Sequence, residues 1–145
     1  MTRRPTAHAI DVWRALLRYH RLTLNQLDEE LRAERGLSLD EYDVLVQLVE
    51  AGRPLRMGEL VDATLIARSS CTRVVDRLVV AGYVTRSSEP GDRRTVVVAL
   101  TPEGKGAQRR AAITHLAGIG RCFAGRLTER QLAALGSALE SLSEP

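Results

Sequence analysis

Between Glu59 and Leu100 the spacing of apolar residues changes period, and this change limits the folds open to the chain. Leu60, Val61 and Leu65 give one short helical stripe, and Cys71, Val74, Val75 and Leu78 give a second at i, i+3, i+4, i+7. The join between them, "TLIAR", is a few residues long. The opposite face of the second helix reads Ser69, Thr72, Arg73 and Asp76, and Gly82 is placed to end it. The period then drops to two. Tyr83–Ser87 and Thr95–Leu100 are β-branched runs on either side of "EPGD", the pattern of a hairpin. Two short helices, a tight turn and a hairpin directly afterwards describe a winged helix-turn-helix.

The rest of the chain reads as helix. Ile10, Trp13, Leu17, His20, Leu24, Leu27 and Leu31 step by three and four, an a/d seam over three heptads that predicts a helix from about Ala7 to Glu34, ended by Gly36. Ser38 and Glu41 form a capping box with Leu37 and Tyr42 as its staple, and the helix they open closes at Gly52 and Pro54. Thr101 and Pro102 supply an N-cap and first-turn proline for a helix expected to turn Ile113, Leu116, Ile119 and Phe123 inward. "GIG" at 118–120 weakens that helix or lets another approach closely. Thr128 and Gln131 repeat the cap grammar before the stripe Leu132, Leu135, Leu139 and Leu142. The fold class is mainly α (α+β): one domain over 1–145, in which 39–100 form the winged helix-turn-helix and the helices of about 7–35 and 102–143 are long enough to need a partner.

Composition removes several alternatives. No run of about 18 apolar residues exists, so no membrane span is expected. No apolar stretch follows the basic start "MTRRPTAHAID", so no secretory leader is expected, and a cytoplasmic protein is the default. Cys71 and Cys122 make neither a disulfide framework nor a metal spacing, and His8, His20 and His115 lie far apart, so no metal and no cofactor are expected. Nucleophile-elbow, P-loop and dinucleotide motifs are absent, which argues against an enzyme. Charge is informative by its placement. From Arg68 to Arg94 six arginines face three carboxylates, a net +3, while the whole chain also carries +3. The excess therefore sits in the winged segment, as a polyanion-binding surface requires.

Those residues fit double-stranded DNA. A recognition helix in the major groove would offer Arg68, Ser69, Ser70 and Thr72 to phosphates or base edges, and Arg73 to guanine O6 and N7. Arg77 and Arg86 extend the basic set. At the hairpin tip Arg94 suits a minor groove, Arg93 a phosphate, and Asp92, two residues before Arg94, is placed to orient it.

The segment "SSCTRVVDRLVVAGYVTRSSEPGDRRTVVVALTPEGK" resembles the recognition helix and wing of the MarR family of transcription regulators, through Thr72–Leu78, Gly82, Asp92–Arg94 and Ala99–Lys105. The resemblance extends over the whole chain. It implies a homodimer whose N- and C-terminal helices intertwine, bound to a pseudo-palindromic operator as a repressor that a small molecule or an oxidant releases. Two departures stand out. The first helix of the motif starts at Arg56, where the family places a Ser or Thr cap worth about 1 kcal/mol. The cysteine that the family's peroxide-sensing branch carries early in its first helix is absent from "AHAIDVWRALL", and Cys71 and Cys122 read as small buried hydrophobes. The family binds small aromatic acids where the first helix meets the winged part, which makes Trp13, His20 and Tyr42 the candidates for an effector pocket. The plainer reading of Trp13 and His20 is core or interface packing. The competing reading of the chain as a whole, a winged helix used only to bind protein, would want an apolar outer face on the recognition helix; Ser, Thr and Arg stand there.

Overall fold

Thr6 opens the first helix, accepting the Ala9 N–H on its hydroxyl at 3.1 Å. In the computed structural model, which describes residues 4–143, α1 runs Ala7–Arg35 and ends where Gly36 takes φ 67 and returns its N–H to the Arg32 carbonyl. The capping box forms as read: the Glu41 N–H donates to Ser38 Oγ and the Ser38 N–H to Glu41 Oε2, each at 3.0 Å, opening α2 (Leu39–Ala51). There follow β1 (Leu55–Arg56), α3 (Met57–Ala63), α4 (Arg68–Val80), β2 (Val84–Glu89), β3 (Asp92–Leu100), α5 (Pro102–Cys122), a 3-10 turn at Ala124–Arg126 and α6 (Glu129–Ser143).

The hairpin is longer than its β-branched runs suggest. Gly91, at φ 85, lets the chain turn sharply enough for pairing to continue to Glu89 and Asp92. The sheet has three strands in the order β1-β3-β2, all antiparallel, with Leu55 opposite Val98 and Val84 opposite Leu100. β1 is two residues long, too short to show a period, and nothing in the sequence marks it.

One apolar cluster joins these pieces. Leu45 and Val44 of α2, Leu60 of α3, Cys71 and Val75 of α4 and Val98 of β3 are fully buried, and Leu31 of α1 and Ala111 of α5 close its other side. Two expectations about this core fail. Leu65 does not belong to the α3 stripe: α3 ends at Ala63, Thr64 is extended, and the change of direction leaves Leu65 94% exposed while Ile66 fills the core. Ile113 and Leu116 do not point inward, being 67% and 64% exposed. The buried face of α5 is instead Gly104, Ala107, Ala111, Thr114, Gly118 and Cys122. Small residues there let α1 approach so closely that a Cβ on Gly118 would lie 2.5 Å from Leu27 Cδ2. Gly104 has the same role against the Tyr83 carbonyl.

The first half of the α1 seam stays uncovered in the single chain. Leu27 and Leu31 are buried, but Trp13 is 58% and Leu17 48% exposed, and α6 has no buried residue. Among the described residues no helix is long and apolar enough to cross a membrane.

Candidate nucleic-acid interface and effector cavity

The α4 helix presents its two faces as the spacing requires. Cys71, Val74, Val75 and Leu78 are buried, so Arg68, Ser69, Thr72, Arg73 and Asp76 are exposed, with Ser70 half-buried. Its N-cap is Ala67, which offers no side-chain acceptor to the first-turn amides. That end of the helix keeps free N–H groups and the positive end of the dipole, both suited to a phosphate.

Two ion pairs set the attitude of this helix. Arg86 on β2 reaches Asp76 on α4 at 2.5 Å, tying wing to recognition helix. Arg77 donates its Nε to Glu41 Oε1 at 2.7 Å. Glu41 is buried, so one carboxylate both caps α2 and anchors α4. Arg77, grouped by sequence with the DNA-facing residues, thus has an internal partner. Exposed pairs such as Arg86–Asp76 contribute only about 0.2–1 kcal/mol to stability; their effect is on orientation.

At the wing tip the sequence brings Asp92 and Arg94 together, but by a different bond from the one expected. Asp92 Oδ2 accepts the Thr95 hydroxyl at 2.6 Å and Oδ1 accepts the Arg94 backbone N–H at 2.9 Å. These bonds, the Thr95 hydroxyl first, hold the Asp92 carboxyl below its usual range. Asp92 therefore fixes the backbone of the tip in an Asx-type turn and does not grip the Arg94 guanidinium. The guanidiniums of Arg93 and Arg94 are exposed and make no hydrogen bond among the described residues.

Sequence reasoning missed a second set of charges behind the wing. Arg53 forks onto Glu59, with NH2 on Oε1 at 3.0 Å and NH1 on Oε2 at 3.3 Å. Glu59 Oε2 also accepts the Arg56 N–H at 2.8 Å. The guanidinium of Arg56 in turn bonds Glu89 Oε1 through Nε at 3.1 Å and NH2 at 2.6 Å. The Arg53 hydrogen bond, then the Arg56 amide, draws the Glu59 carboxyl down to about 2. The missing Ser or Thr cap of α3 is thus partly replaced by the reciprocal half of a capping box, a signal present in the Arg56–Glu59 spacing. Arg56 and Glu89 are 33 residues apart, and they meet because β1 and β2 both pair with β3.

Of the three effector candidates the structure brings one to a cavity. A space of about 410 Å³ lies between α1, α2, α5 and the turn before α4, its lining including Leu24, Tyr42, Asp43, Val46, Leu65 and His115. Trp13 and His20 are not among its walls and lie on exposed α1 surface. His115, which the sequence gave no reason to choose, packs on Tyr42 with ring centroids 4.8 Å apart. Burial pushes His115 down and Tyr42 up from their ordinary pKa values, and among the described residues His115 Nδ1 has no hydrogen-bond partner. Asp43 Oδ2 accepts the Leu65 N–H at 3.1 Å, so one wall of the cavity holds the turn that leads into α4.

Cys71 and Cys122 are both buried, and burial pushes the Cys71 thiol up, away from the reactive thiolate. Among the described residues no group of three or more His, Cys, Asp or Glu side chains is placed to hold a metal.

Comparison with known proteins places the chain among transcription regulators. A model described as MarR family matches residues 35–95, from the end of α1 through the wing tip. The HTH-type transcriptional regulator PecS of Dickeya dadantii (strain 3937) is 32% identical over 97 residues, covering 66% of this chain and 58% of PecS, less than two thirds of that relative's length. Among solved structures, Sco3205 from Streptomyces coelicolor, a MarR family transcriptional regulator determined in complex with DNA, is 34% identical with a TM-score of 0.88, covering 99% of this chain and 91% of its own. AbsC, a MarR family transcriptional regulator from the same organism, is 31% identical with a TM-score of 0.84 over 98% of this chain and 96% of its own.

Proposed function

This chain belongs to the MarR family of DNA-binding transcription regulators, and from that premise we propose that it is a cytoplasmic repressor that grips a pseudo-palindromic operator as a homodimer and lets go when a small aromatic effector binds. One observation carries the DNA-binding half. The exposed Ser69, Thr72 and Arg73 face of α4 and the unbonded guanidiniums of Arg93 and Arg94 flank the Arg86–Asp76 tie, so helix and wing address one duplex as a unit. The helix reads the major groove, the wing tip enters the minor groove, and Asp92 keeps the tip's backbone in shape.

The dimer is supported by the apolar residues that a single chain leaves open: Trp13 and Leu17 on α1, Ile113 and Leu116 on α5, and Leu142 on α6. Stripes of that regularity are stable when buried, at roughly 25 cal/mol per Å². A twofold axis through them places two α4 helices on successive major grooves, roughly 34–36 Å apart. Release is supported by the cavity at Tyr42 and His115, whose Asp43 wall bonds the turn before α4. The reaction is binding alone; no step of it needs a cofactor.

Anisotropy titration against DNA upstream of the gene, between 50 and 200 mM salt, tests the reading. The wild type is expected to show sequence preference and a steep salt slope. Arg73→Ala relaxes preference by about 1–3 kcal/mol at its base pair, and Arg94→Ala weakens binding to the whole site. A wild type indifferent to sequence sinks the function; two variants indistinguishable from a specific wild type sink the residue assignment.

A further inference from the structure

A groove of about 490 Å³ runs between the start of α3, the outer face of α4 and the wing, walled by Arg56, Gly58, Thr72, Arg86, Arg94 and Thr95. Its polar groups are mostly donors with bonds still to make. Arg56 uses Nε and NH2 on Glu89, leaving NH1 unbonded among the described residues. Arg86 spends NH1 on Asp76, leaving Nε and NH2. The Arg94 guanidinium and the Thr72 hydroxyl make no hydrogen bond there either. The one carboxylate on the wall, Glu59, has both oxygens occupied by Arg53 and the Arg56 amide. A trough with three guanidinium edges and no free carboxylate is built for a continuous anion.

Position says which one. A helix and a wing that enter neighbouring grooves of one duplex have a single sugar–phosphate strand between them, and that strand must cross the surface joining the two. In this chain that surface is the groove. We infer that the groove seats the backbone strand separating the major from the minor groove, and that Arg56, a residue of the β1–α3 junction, holds one of its phosphates with the NH1 edge that Glu89 leaves free. Glu89 is the positioning residue: by taking the Nε–NH2 edge on one oxygen it fixes the planar fork and turns the other edge outward. Arg53 acts one step further back, by occupying the Glu59 carboxylate that would otherwise compete for Arg56. The ion pair needs no breaking when DNA arrives, because the contacts use different nitrogens.

The inference rests on the DNA-binding reading above, and salt dependence separates the two. With full-length protein and its operator, Arg56→Ala lowers the magnitude of the log–log salt slope by about 0.9, the loss of one phosphate contact. At 0.1 M salt it weakens binding roughly tenfold, equally on operator and on scrambled duplex, because a phosphate carries no sequence. Arg56→Lys retains the slope. Glu89→Gln frees the guanidinium without removing its charge and keeps the wild-type slope with a smaller loss of affinity. Arg56→Gln, which like the alanine variant keeps the backbone N–H on Glu59, gives the same slope change if the alanine variant fails to fold by circular dichroism. Operator binding by the wild type together with an unchanged slope in both Arg56→Ala and Arg56→Gln overturns the inference alone. So does an equal loss in Arg56→Ala and Glu89→Gln at constant slope, which makes Arg56 a prop for the wing and nothing more. Absence of operator binding by the wild type takes down the reading beneath it.

Discussion

The winged core and the helical arms are made of the same aliphatic residues and treat them oppositely. In the core Val44, Leu45 and Leu60 are 0% exposed; on the arms Trp13 is 58%, Ile113 67% and Leu142 76% exposed. Both regions are amphipathic at helical spacing, so the apolar pattern along the chain does not separate them. The partner does. The core closes within one chain because α2, α3, α4 and the sheet present their stripes to each other, while α1 and α6 run past the edge of anything the chain can offer them. Burial within a single chain is thus a map of what folds alone, and the exposed stripes are a map of what the proposed second copy must supply.

Mutation should separate the two regions. Leu45→Ala removes a side chain from the middle of the single-chain cluster and leaves a cavity, so we expect a loss of about 2–5 kcal/mol. Because no second molecule takes part, the drop in urea midpoint is the same at every protein concentration. Leu17→Glu puts a charge on the open seam. At high protein concentration its midpoint falls less than that of Leu45→Ala, and it stops rising with concentration as the wild type's does. Sedimentation then reports a species of half the mass. If Leu17→Glu costs as much as Leu45→Ala at all concentrations and the mass does not change, the arms belong to the same core and the contrast collapses.

What could be read from the sequence was what local spacing determines. The two faces of α4, the caps at Ser38, Thr101 and Thr128 and the ends at Gly36 and Gly52 each depend on residues a turn apart, and each forms. Contacts between distant residues were not readable. β1 exists because Val97 and Val98 lie beside it, and Arg56 meets Glu89 through that pairing together with the β2–β3 hairpin. The α5 face was misassigned because aliphatic residues at helical spacing look the same in sequence whether they turn outward, as Ile113 and Leu116 do, or toward a core. Its true inner face, Gly104 to Cys122, looks weak in sequence and is required by the close approach of α1. Alternation along a strand says nothing of whether the Asp92 carboxylate prefers the Arg94 guanidinium or the nearer Arg94 amide; the amide wins. Of the effector candidates Tyr42 reached the cavity and Trp13 and His20 did not, since a heptad position gives a face and not a depth along α1.

The smallest effect tests the seam between the two regions, where His115 of α5 lies on Tyr42 of α2. Burial lowers the His115 pKa below its ordinary 6.5, and the Asp43 carboxylate nearby only partly opposes this. Between the lowered folded value and about 6.5 the unfolded chain therefore binds more protons at this site than the folded chain does. Unfolded protein binding more protons means that stability rises with pH. The contribution is fully present above 6.5 and is lost as pH falls from there through the folded value. The carboxyls of Asp28, Glu30, Glu59 and Asp92, each lowered from 3.8 or 4.5, add stability of the same sign only in a more acidic range. Between pH 7.5 and 5.5 the melting temperature of the wild type should accordingly fall by more than that of His115→Phe, which keeps the ring contact on Tyr42 and cannot titrate. Protonation costs what it does because the ring is wedged between core and arm, so the difference between the two curves reads how tightly the arm is packed onto the core. Parallel curves over that range would mean that the two regions meet at His115 loosely enough for water to solvate the imidazolium.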